Sequence, residues 1–180
     1  MAVLTITEAL AELKTTAKRI EKKHEFVRAH LMRMERLKDP LEKEGGAYAS
    51  IEAARQAIHD LEERIVRIRR KISEANLQTT ISVQGETRPV ADWLVWRRDV
   101  APKAQGRLND LASGIAQVRK DMLQKGVQVV QPGETARTED VVVNVSETKL
   151  AQEREHMELV LGELDGQLSL KNALTTFEID

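Results

Sequence analysis

The strongest constraint on the fold is a regular spacing of apolar residues along two long segments of the chain. In both segments the intervals alternate between four and three residues, which is the spacing of a helix that packs lengthwise against another helix. The first series is Ile6, Leu10, Leu13, Ala17, Ile20, His24, Val27, Leu31 and Met34, in which only His24 is polar. The second series is Ile51, Ala54, Ile58, Leu61, Ile65, Ile68, Ile72 and Ala75. Because long helices are only marginally stable alone, the two segments predict an antiparallel helical hairpin.

The stretch between these two series contains residues that end helices. Pro40 disfavours helical backbone at Asp39, and the pair Gly45 and Gly46 adds flexibility. We therefore expect the first helix to end near Asp39, and we expect Ser50 to cap the start of the second.

The second half of the chain predicts two further helices. The third begins at Val90 and contains Pro102, which lacks a backbone donor and predicts a kink near Asp99. Gly126 ends this helix, and the fourth begins near Ser146. The apolar residues of the two helices are Ala104, Leu108, Leu111, Ile115, Val118 and Met122 in the third, and Leu150, Met157, Leu161, Leu164 and Leu168 in the fourth.

Short strands are predicted where β-branched residues alternate outside the helices. Residues 79–83 form one such stretch, and residues 84–87 follow with turn-forming composition. The stretches VQVVQ and VVVNV flank the polar segment PGETARTED, so residues 127–145 predict a β-hairpin between helices three and four. The open edges of such a ribbon are often paired with a second copy of the chain.

These patterns predict a mostly α fold in which two antiparallel αα-hairpins form a four-helix bundle or coiled coil, with short strands and one inserted β-hairpin. We expect a single domain in which residues 1–78 form the first hairpin and residues 79–89 form a strand and turn linker. Residues 90–180 then form the second hairpin, with the β-ribbon at 127–145.

Composition and charge exclude several classes of protein. The chain has no cysteine, so it has no disulfides and no thiolate site, and no apolar run is long enough to cross a membrane. The N-terminus lacks a secretory signal, and we therefore expect a cytoplasmic protein that does not bind membranes. A net charge of -1 argues against binding duplex nucleic acid. The charge is uneven, because residues 64–107 hold ten Lys or Arg and four Asp or Glu, whereas residues 134–180 hold four and eleven.

A repeated motif is the best functional lead. Asn76 precedes Thr79 and Thr80 in the same way that Asn172 precedes Thr175 and Thr176, each time where a helical pattern gives way to a short strand. One interpretation is that both motifs are only exits from a helix into a strand. The other is that the two sets of amide and hydroxyl groups meet at one end of the bundle and line a polar pocket.

Aromatic and basic residues follow the first copy of the motif. We expect antiparallel packing to bring the tryptophans and arginines of the third helix to the same end as the repeated motif. Indole rings stack on bases and guanidinium groups bind phosphate, so this set suits a nucleotide-like anion. The alternative is that at least one tryptophan belongs to the core and that the arginines are solvated. The added candidate residues are Arg88, Trp93, Trp96, Arg97 and Arg98.

Signals for catalysis or metal binding are weak. The sequence has no phosphate-binding glycine-rich loop and no His-Glu-x-x-His motif. The Glu-x-x-His pairs at Glu21 and His24 and at Glu153 and His156 match part of a di-iron pattern, but the matching glutamates on the remaining helices are poorly placed. We therefore predict no catalytic residues, no metal site and no cofactor.

The run RIRRKISEANLQTTISVQGETRPVADWL and the C-terminal ELDGQLSLKNALTTFEID resemble a family of uncharacterised helical coiled-coil proteins of bacteria and phages, some of them loosely labelled septicolysin. The shared features are the Asn-x-x-Thr step, a Gly-x-Thr turn after the strand and the terminal Leu-Asp, Asn and Thr. The resemblance implies a helical coiled-coil fold and no established activity. The ribbon at 127–145 and the tryptophan-rich third helix depart from the family pattern.

Two functions fit these observations. The first is a non-enzymatic, homo-oligomeric binding protein, of phage origin, that sequesters a small anionic nucleotide-like ligand in the host cytoplasm. The second is a structural or assembly protein, such as a phage virion component or a coiled-coil adaptor, whose seams and ribbon contact other copies of the chain.

Overall fold

A computed structural model describes residues 2–179, most of which are helical. The long helices are α1 (Ile6–Ala29), α2 (Ala47–Gln78), α4 (Ala101–Gln124) and α5 (Glu147–Leu174), and α3 (Val90–Val95) is a short helix before α4. The strands are β1 (Ala2–Thr5), β2 (Thr80–Val83), β3 (Glu86–Pro89), β4 (Val129–Val130), β5 (Val141–Val142) and β6 (Thr176–Ile179). The described residues divide into two compact units, residues 2–78 with 169–179, and Thr79–Leu168.

In the first unit, α1 and α2 are antiparallel, as their apolar spacing predicts. Ala9 and Leu13 near the start of α1 pack in one cluster with Ile68 near the end of α2. At the other end of the pair, Phe26 and Ala53 line the same cleft. Arg64 Nε donates a hydrogen bond of 2.5 Å to Glu12 Oε1 and links the two helices partway along.

The two termini of the described chain pair with each other in this unit. β6 is the strand predicted after the second Asn-x-x-Thr-Thr motif, and it pairs antiparallel with β1, which the sequence reasoning missed. Leu4, Phe177 and Ile179 from the two strands join the α1–α2 cluster. Thr5 caps α1 through a capping box with Glu8, because each side chain accepts a hydrogen bond from the other residue's backbone N–H. Residues 169–179, which the sequence assigned to the second hairpin, thus lie in the unit that contains the first.

The connection between α1 and α2 differs from the prediction. α1 ends at Ala29, and Leu31 and Met34, predicted as seam residues, are exposed. Asp39 organises the connection, because its carboxylate accepts a hydrogen bond of 2.9 Å from the Leu41 N–H and one of 2.8 Å from the Ala47 N–H. α2 therefore begins at Ala47, three residues before the predicted cap at Ser50.

In the second unit, β2 and β3 form a tight antiparallel hairpin. Gln84 and Gly85 are its two loop residues, with φ values of 48° and 80°, which are typical of the type I′ turn that suits the strand twist. The predicted four-residue turn at 84–87 is thus only two residues long, and Glu86 and Thr87 belong to a second strand. α3 begins at Val90, as predicted.

The helix is not broken at Pro102. Residues Trp96–Val100 form a π-helical turn that joins α3 to α4, and the Ala101 N–H bonds back to the Trp96 carbonyl, five residues earlier. The wider turn accommodates the proline, which has no N–H to donate and whose ring crowds the carbonyl four residues before it.

The connector between α4 and α5 is not the predicted β-hairpin. β4 and β5 pair in parallel, with Val129 opposite Val141 and Val130 opposite Val142. The intervening chain reverses twice, in turns closed by hydrogen bonds from the Glu134 N–H to the Gln131 carbonyl and from the Asp140 N–H to the Arg137 carbonyl. Two reversals return the chain to its original direction, so the paired strands run parallel.

α5 begins at Glu147, as predicted, and runs antiparallel to α4. Leu150 near its start packs with Ile115 of α4, whereas Val160 and Leu164 farther along pack with Trp93 of α3. In the part of the chain that the structure describes, each apolar cluster lies within one unit. A mostly helical fold with two helix pairs is therefore confirmed, and a joint four-helix bundle stays a prediction.

Candidate functional site

The repeated Asn-x-x-Thr-Thr motif builds the same backbone joint twice. The Thr79 carbonyl accepts a hydrogen bond of 2.8 Å from the N–H of Val90, the first residue of α3. The Thr175 carbonyl accepts one of 3.1 Å from the N–H of Ile6, the first residue of α1. In both places the strand that follows the motif pairs with the strand that precedes the helix.

This joint satisfies a backbone donor at a helix N-terminus, where four donors lack partners within the helix. The register is also the same, because Thr80 lies opposite Pro89 and Thr176 lies opposite Thr5. The joints therefore support the simpler interpretation of the repeat, as an exit from a helix into a strand.

The predicted ligand residues are divided between the two units. Asn76, Asn172, Thr175 and Thr176 lie in the first unit, and Asn76 and Asn172 are half-buried. The remaining residues of the set lie in the second unit: Thr79, Thr80, Arg88, Trp93, Trp96, Arg97 and Arg98.

The two tryptophans have different environments. Trp93 is 3% exposed within a cluster that includes Ile81, Val160 and Leu164, and its Nε1–H donates a hydrogen bond of 3.4 Å to the Ile81 carbonyl. Trp96 is half-buried and meets Trp93 edge to face, with ring centroids 5.6 Å apart. The expectation that at least one tryptophan belongs to the core is confirmed for Trp93.

Each of the three candidate arginines is paired with a carboxylate. Arg88 lies with its guanidinium carbon 5.0 Å from the Trp93 ring centroid and donates a hydrogen bond of 2.7 Å from Nε to Glu86. Arg97 lies 2.9 Å from Asp165.

Arg98 donates two hydrogen bonds to Asp99, of 2.9 and 2.8 Å. These bonds lower the pKa of Asp99 and raise that of Arg98. A phosphate at any of the three arginines would compete with an acidic side chain already in contact.

A groove runs along one side of the α4–α5 pair. A cleft of about 450 Å³ between the two helices adjoins one of about 240 Å³ beside the tryptophans, and His156 and Met157 line both. We call the two together the α4–α5 groove. Its floor is mostly apolar, with Leu108, Met157, Trp96 and Val160 among the lining residues, and Arg107 and Glu153 lie at its rim.

Residues 100–118 carry two neighbouring, mostly apolar stripes. The inner stripe packs inside the unit and consists of Ala101, Leu108, Ala112 and Ile115. The outer stripe follows the spacing of a helix-packing seam, begins in the π-helical turn and lines the groove through Ala104, Arg107 and Leu111. Its residues are Val100, Ala104, Arg107, Leu111, Gly114 and Val118. Val100, Leu111 and Val118 are 44%, 45% and 37% exposed, so much of this second seam is left uncovered by its own unit.

The outer stripe was only partly recognised from the sequence. The predicted seam of helix three took Ala104, Leu111 and Val118 together with Leu108 and Ile115, which the structure assigns to different faces. The signal that separates the two stripes is the pair of apolar neighbours Val100 and Ala101. Adjacent positions on a helix point in different directions, so two apolar neighbours indicate two apolar stripes.

Metal and membrane signals are absent from residues 2–179. No group of three or more His, Asp or Glu side chains there is placed to hold a metal ion. The two Glu-x-x-His pairs fall in different units. No helix in that range is both long and apolar enough to span a bilayer.

Comparisons with protein-family models, with curated proteins and with solved structures returned no match. The resemblance to the septicolysin-labelled coiled-coil family therefore stays a prediction.

Proposed function

We propose that this chain is a non-enzymatic assembly protein that associates through its helices, in the class of structural components and coiled-coil adaptors. The observation that carries the proposal is the outer stripe of α4, which has the spacing of a helix seam and no helix of its own unit packed on it. Apolar side chains at this spacing are stable in water when a second helix covers them.

α5 supports the same conclusion. Leu164 and Leu168 are buried in the unit, but Leu159, Leu170 and Leu174 lie on other sides of the helix and are exposed. A helix that is apolar on more than one side is typical of a helix with more than one packing partner.

Sequestration of a nucleotide-like ligand is the second candidate. The cleft of about 240 Å³ beside Trp96 favours it, because a half-buried indole next to a cavity offers a surface for a planar ring. The carboxylates that pair with Arg88, Arg97 and Arg98 weigh against it, as does the burial of Trp93. We therefore favour assembly.

The proposal is tested by the mass of the purified chain in solution. Size-exclusion chromatography with light scattering, over about a hundredfold range of concentration, is expected to give a multiple of the 20.3 kDa monomer mass. A monomer across the whole range would refute self-assembly.

A nucleotide panel measured by Trp fluorescence and thermal shift separates the two candidates. We expect no shift with any nucleotide. A specific stabilisation of several degrees that Arg97→Ala removes would instead favour the ligand-binding function.

A further inference from the structure

We propose that the outer stripe of α4 and the α4–α5 groove form the contact face for a second copy of this chain, with α4 of each copy lying over α5 of the other. This inference rests on the proposed assembly function and names the surface and geometry through which it acts. The two-fold axis runs parallel to the helices, so the contact is isologous and closes as a dimer.

The face is long enough for a specific interface. From Val100 to Val118 the stripe extends about 27 Å at a rise of ~1.5 Å per residue, and two adjacent helices present a width of about 20 Å. A flat face of that length and width covers about 540 Å² on each copy, so we expect a dimer to bury about 1,100 Å² in total. This passes the ~1,000 Å² expected of a biological interface.

The middle of the stripe permits close packing. Gly114 has nothing within 4 Å of where a Cβ atom would lie, so its side of α4 is open to an approaching helix. Leu111, one turn earlier, is 45% exposed and lines the groove. We expect Leu111 of each copy to enter the groove of the other, beside Met157.

Charge determines the arrangement of the two copies. Arg107 of α4 and Glu153 of α5 line the same cleft, and within the described residues neither has an ion-pair partner. A two-fold axis parallel to the helices exchanges the two helices across the groove and does not shift residues along it. It therefore brings Arg107 of each copy to the side of the groove that holds Glu153 of the partner subunit, twice per dimer.

The alternative geometry is less favourable. An axis perpendicular to the helices would lay α4 on α4, and the outer stripe contains a basic residue, Arg107, but no acidic one. The charges of the two helices agree with α4 on α5, because α4 holds four Lys or Arg and two Asp or Glu, whereas α5 holds three Lys or Arg and six Asp or Glu. Opposite charges across an interface favour the matched arrangement and disfavour like-charge pairing.

A charge-exchange experiment tests the arrangement. Arg107→Glu alone and Glu153→Arg alone each place like charges together twice per dimer, and we expect each to weaken the dimer about 10- to 100-fold. In a 1:1 mixture of the two variants every such contact joins opposite charges again. The mixture is therefore expected to form heterodimers close to wild-type strength, as is the double variant R107E/E153R. The measurement is the concentration dependence of mass by light scattering or analytical ultracentrifugation.

The outcomes distinguish this inference from the proposed function. If the wild type is a monomer, both fail. If the wild type assembles but the single variants assemble equally well, or the mixture does not recover, the contact face lies elsewhere and only the present inference fails. Thermal melts of each variant as a monomer show whether a loss of assembly reflects unfolding.

Leu111→Asp provides an apolar test of the same face. It is expected to abolish the dimer, whereas the matched change Leu123→Asp, at an exposed position on α4 outside the stripe, should leave the dimer unchanged. Equal effects of the two changes would overturn the assignment of the stripe.

Discussion

The backbone carbonyl of Thr175 accepts a hydrogen bond of 3.1 Å from the N–H of Ile6, which ties the end of α5 to the start of α1. The Thr79 carbonyl and the Val90 N–H form the same bond at 2.8 Å within the second unit. The residue three positions after each helix start, Ala9 in one case and Trp93 in the other, is buried. The repeated motif therefore marks a structural joint in which the carbonyl of its first threonine accepts a hydrogen bond from the first residue of a helix.

β6, the strand that follows Thr175, is expected to contribute strongly to stability. Ile179 is 3% exposed and packs with Ala9, Leu13 and Ile68, so Ile179→Ala should lower the free energy of unfolding by about 2–5 kcal/mol. The neighbouring Glu178 points to solvent, and Glu178→Ala is the matched control, with an expected change below about 0.5 kcal/mol. Chemical denaturation of both variants measures the difference, and equal effects would show that β6 is not packed as described.

Asp39 is expected to make the α1–α2 connection sensitive to acid. Hydrogen bonds from the Ala47 and Leu41 N–H groups favour the charged carboxylate and hold the pKa of Asp39 below its ordinary value of 3.8. Because the folded pKa is the lower one, the contribution of Asp39 is present above the ordinary pKa and is lost as pH falls through the depressed value.

Asp39→Asn removes this contribution. Its amide has one acceptor oxygen for two backbone donors, so we expect Tm at neutral pH to fall by a few degrees and amide exchange at Ala47 to accelerate. The difference in Tm between wild type and variant should shrink as pH falls below the ordinary pKa of the carboxyl. Asp60→Asn, at an exposed position in α2, is the control. A difference in Tm that does not change with pH would contradict the proposed role of the carboxylate.

Replacing either of two glycines by alanine is expected to change the stability of the protein, in opposite directions at the two positions. Gly85 has φ of +80° in the β2–β3 turn with no atom within 4 Å of a new Cβ, so Gly85→Ala should destabilise the protein through backbone strain alone, by about 1–2 kcal/mol. Gly162 lies in α5 with ordinary helical backbone and equally open space. Gly162→Ala should therefore stabilise the protein by about 0.5–1 kcal/mol. Denaturation curves of the two variants give the sign of each change in the free energy of unfolding. The same sign for both would be inconsistent with the positive φ of Gly85 in the β2–β3 turn.

Glu147 is expected to hold the connector between α4 and α5, which contains β4 and β5, in place. Its carboxylate accepts hydrogen bonds from Arg119 and Gln131, and its N–H donates one of 3.1 Å to the Gln131 side chain. Glu147→Ala should speed tryptic cleavage after Arg137 about fivefold for each 1 kcal/mol of local stability lost, with little change in Tm. Glu155→Ala, at an exposed position on α5, should leave the cleavage rate unchanged. Unaltered cleavage in the Glu147 variant would mean that other contacts fix the connector.

The helices could be predicted from the sequence because their signals are local. The four-three spacing located α1 and α2. The starts of α3 at Val90 and of α5 at Glu147 followed from Pro89 and Ser146, which directly precede them. The end of α1 was misjudged because Leu31 and Met34 continue the spacing beyond the last helical turn. The start of α2 was misjudged because its cap is the side chain of Asp39, eight residues earlier in the chain.

The strand pairing and the candidate site depended on contacts between residues far apart in the sequence. Nothing local to residues 2–5 indicates that they pair with residues 176–179, or that β4 and β5 run parallel. The composition around Trp93 and Arg97 suggested a pocket for an anion, but burial of the one and a carboxylate beside the other became visible only in three dimensions.

The sequence by itself therefore determined which segments of this chain are helical, since hydrophobic periodicity and end signals act within a few residues. The tertiary structure alone decided which stripe of α4 faces inward and which stays open, because both stripes are mostly apolar and only packing against α5 and the β4–β5 segment shows which of them is buried.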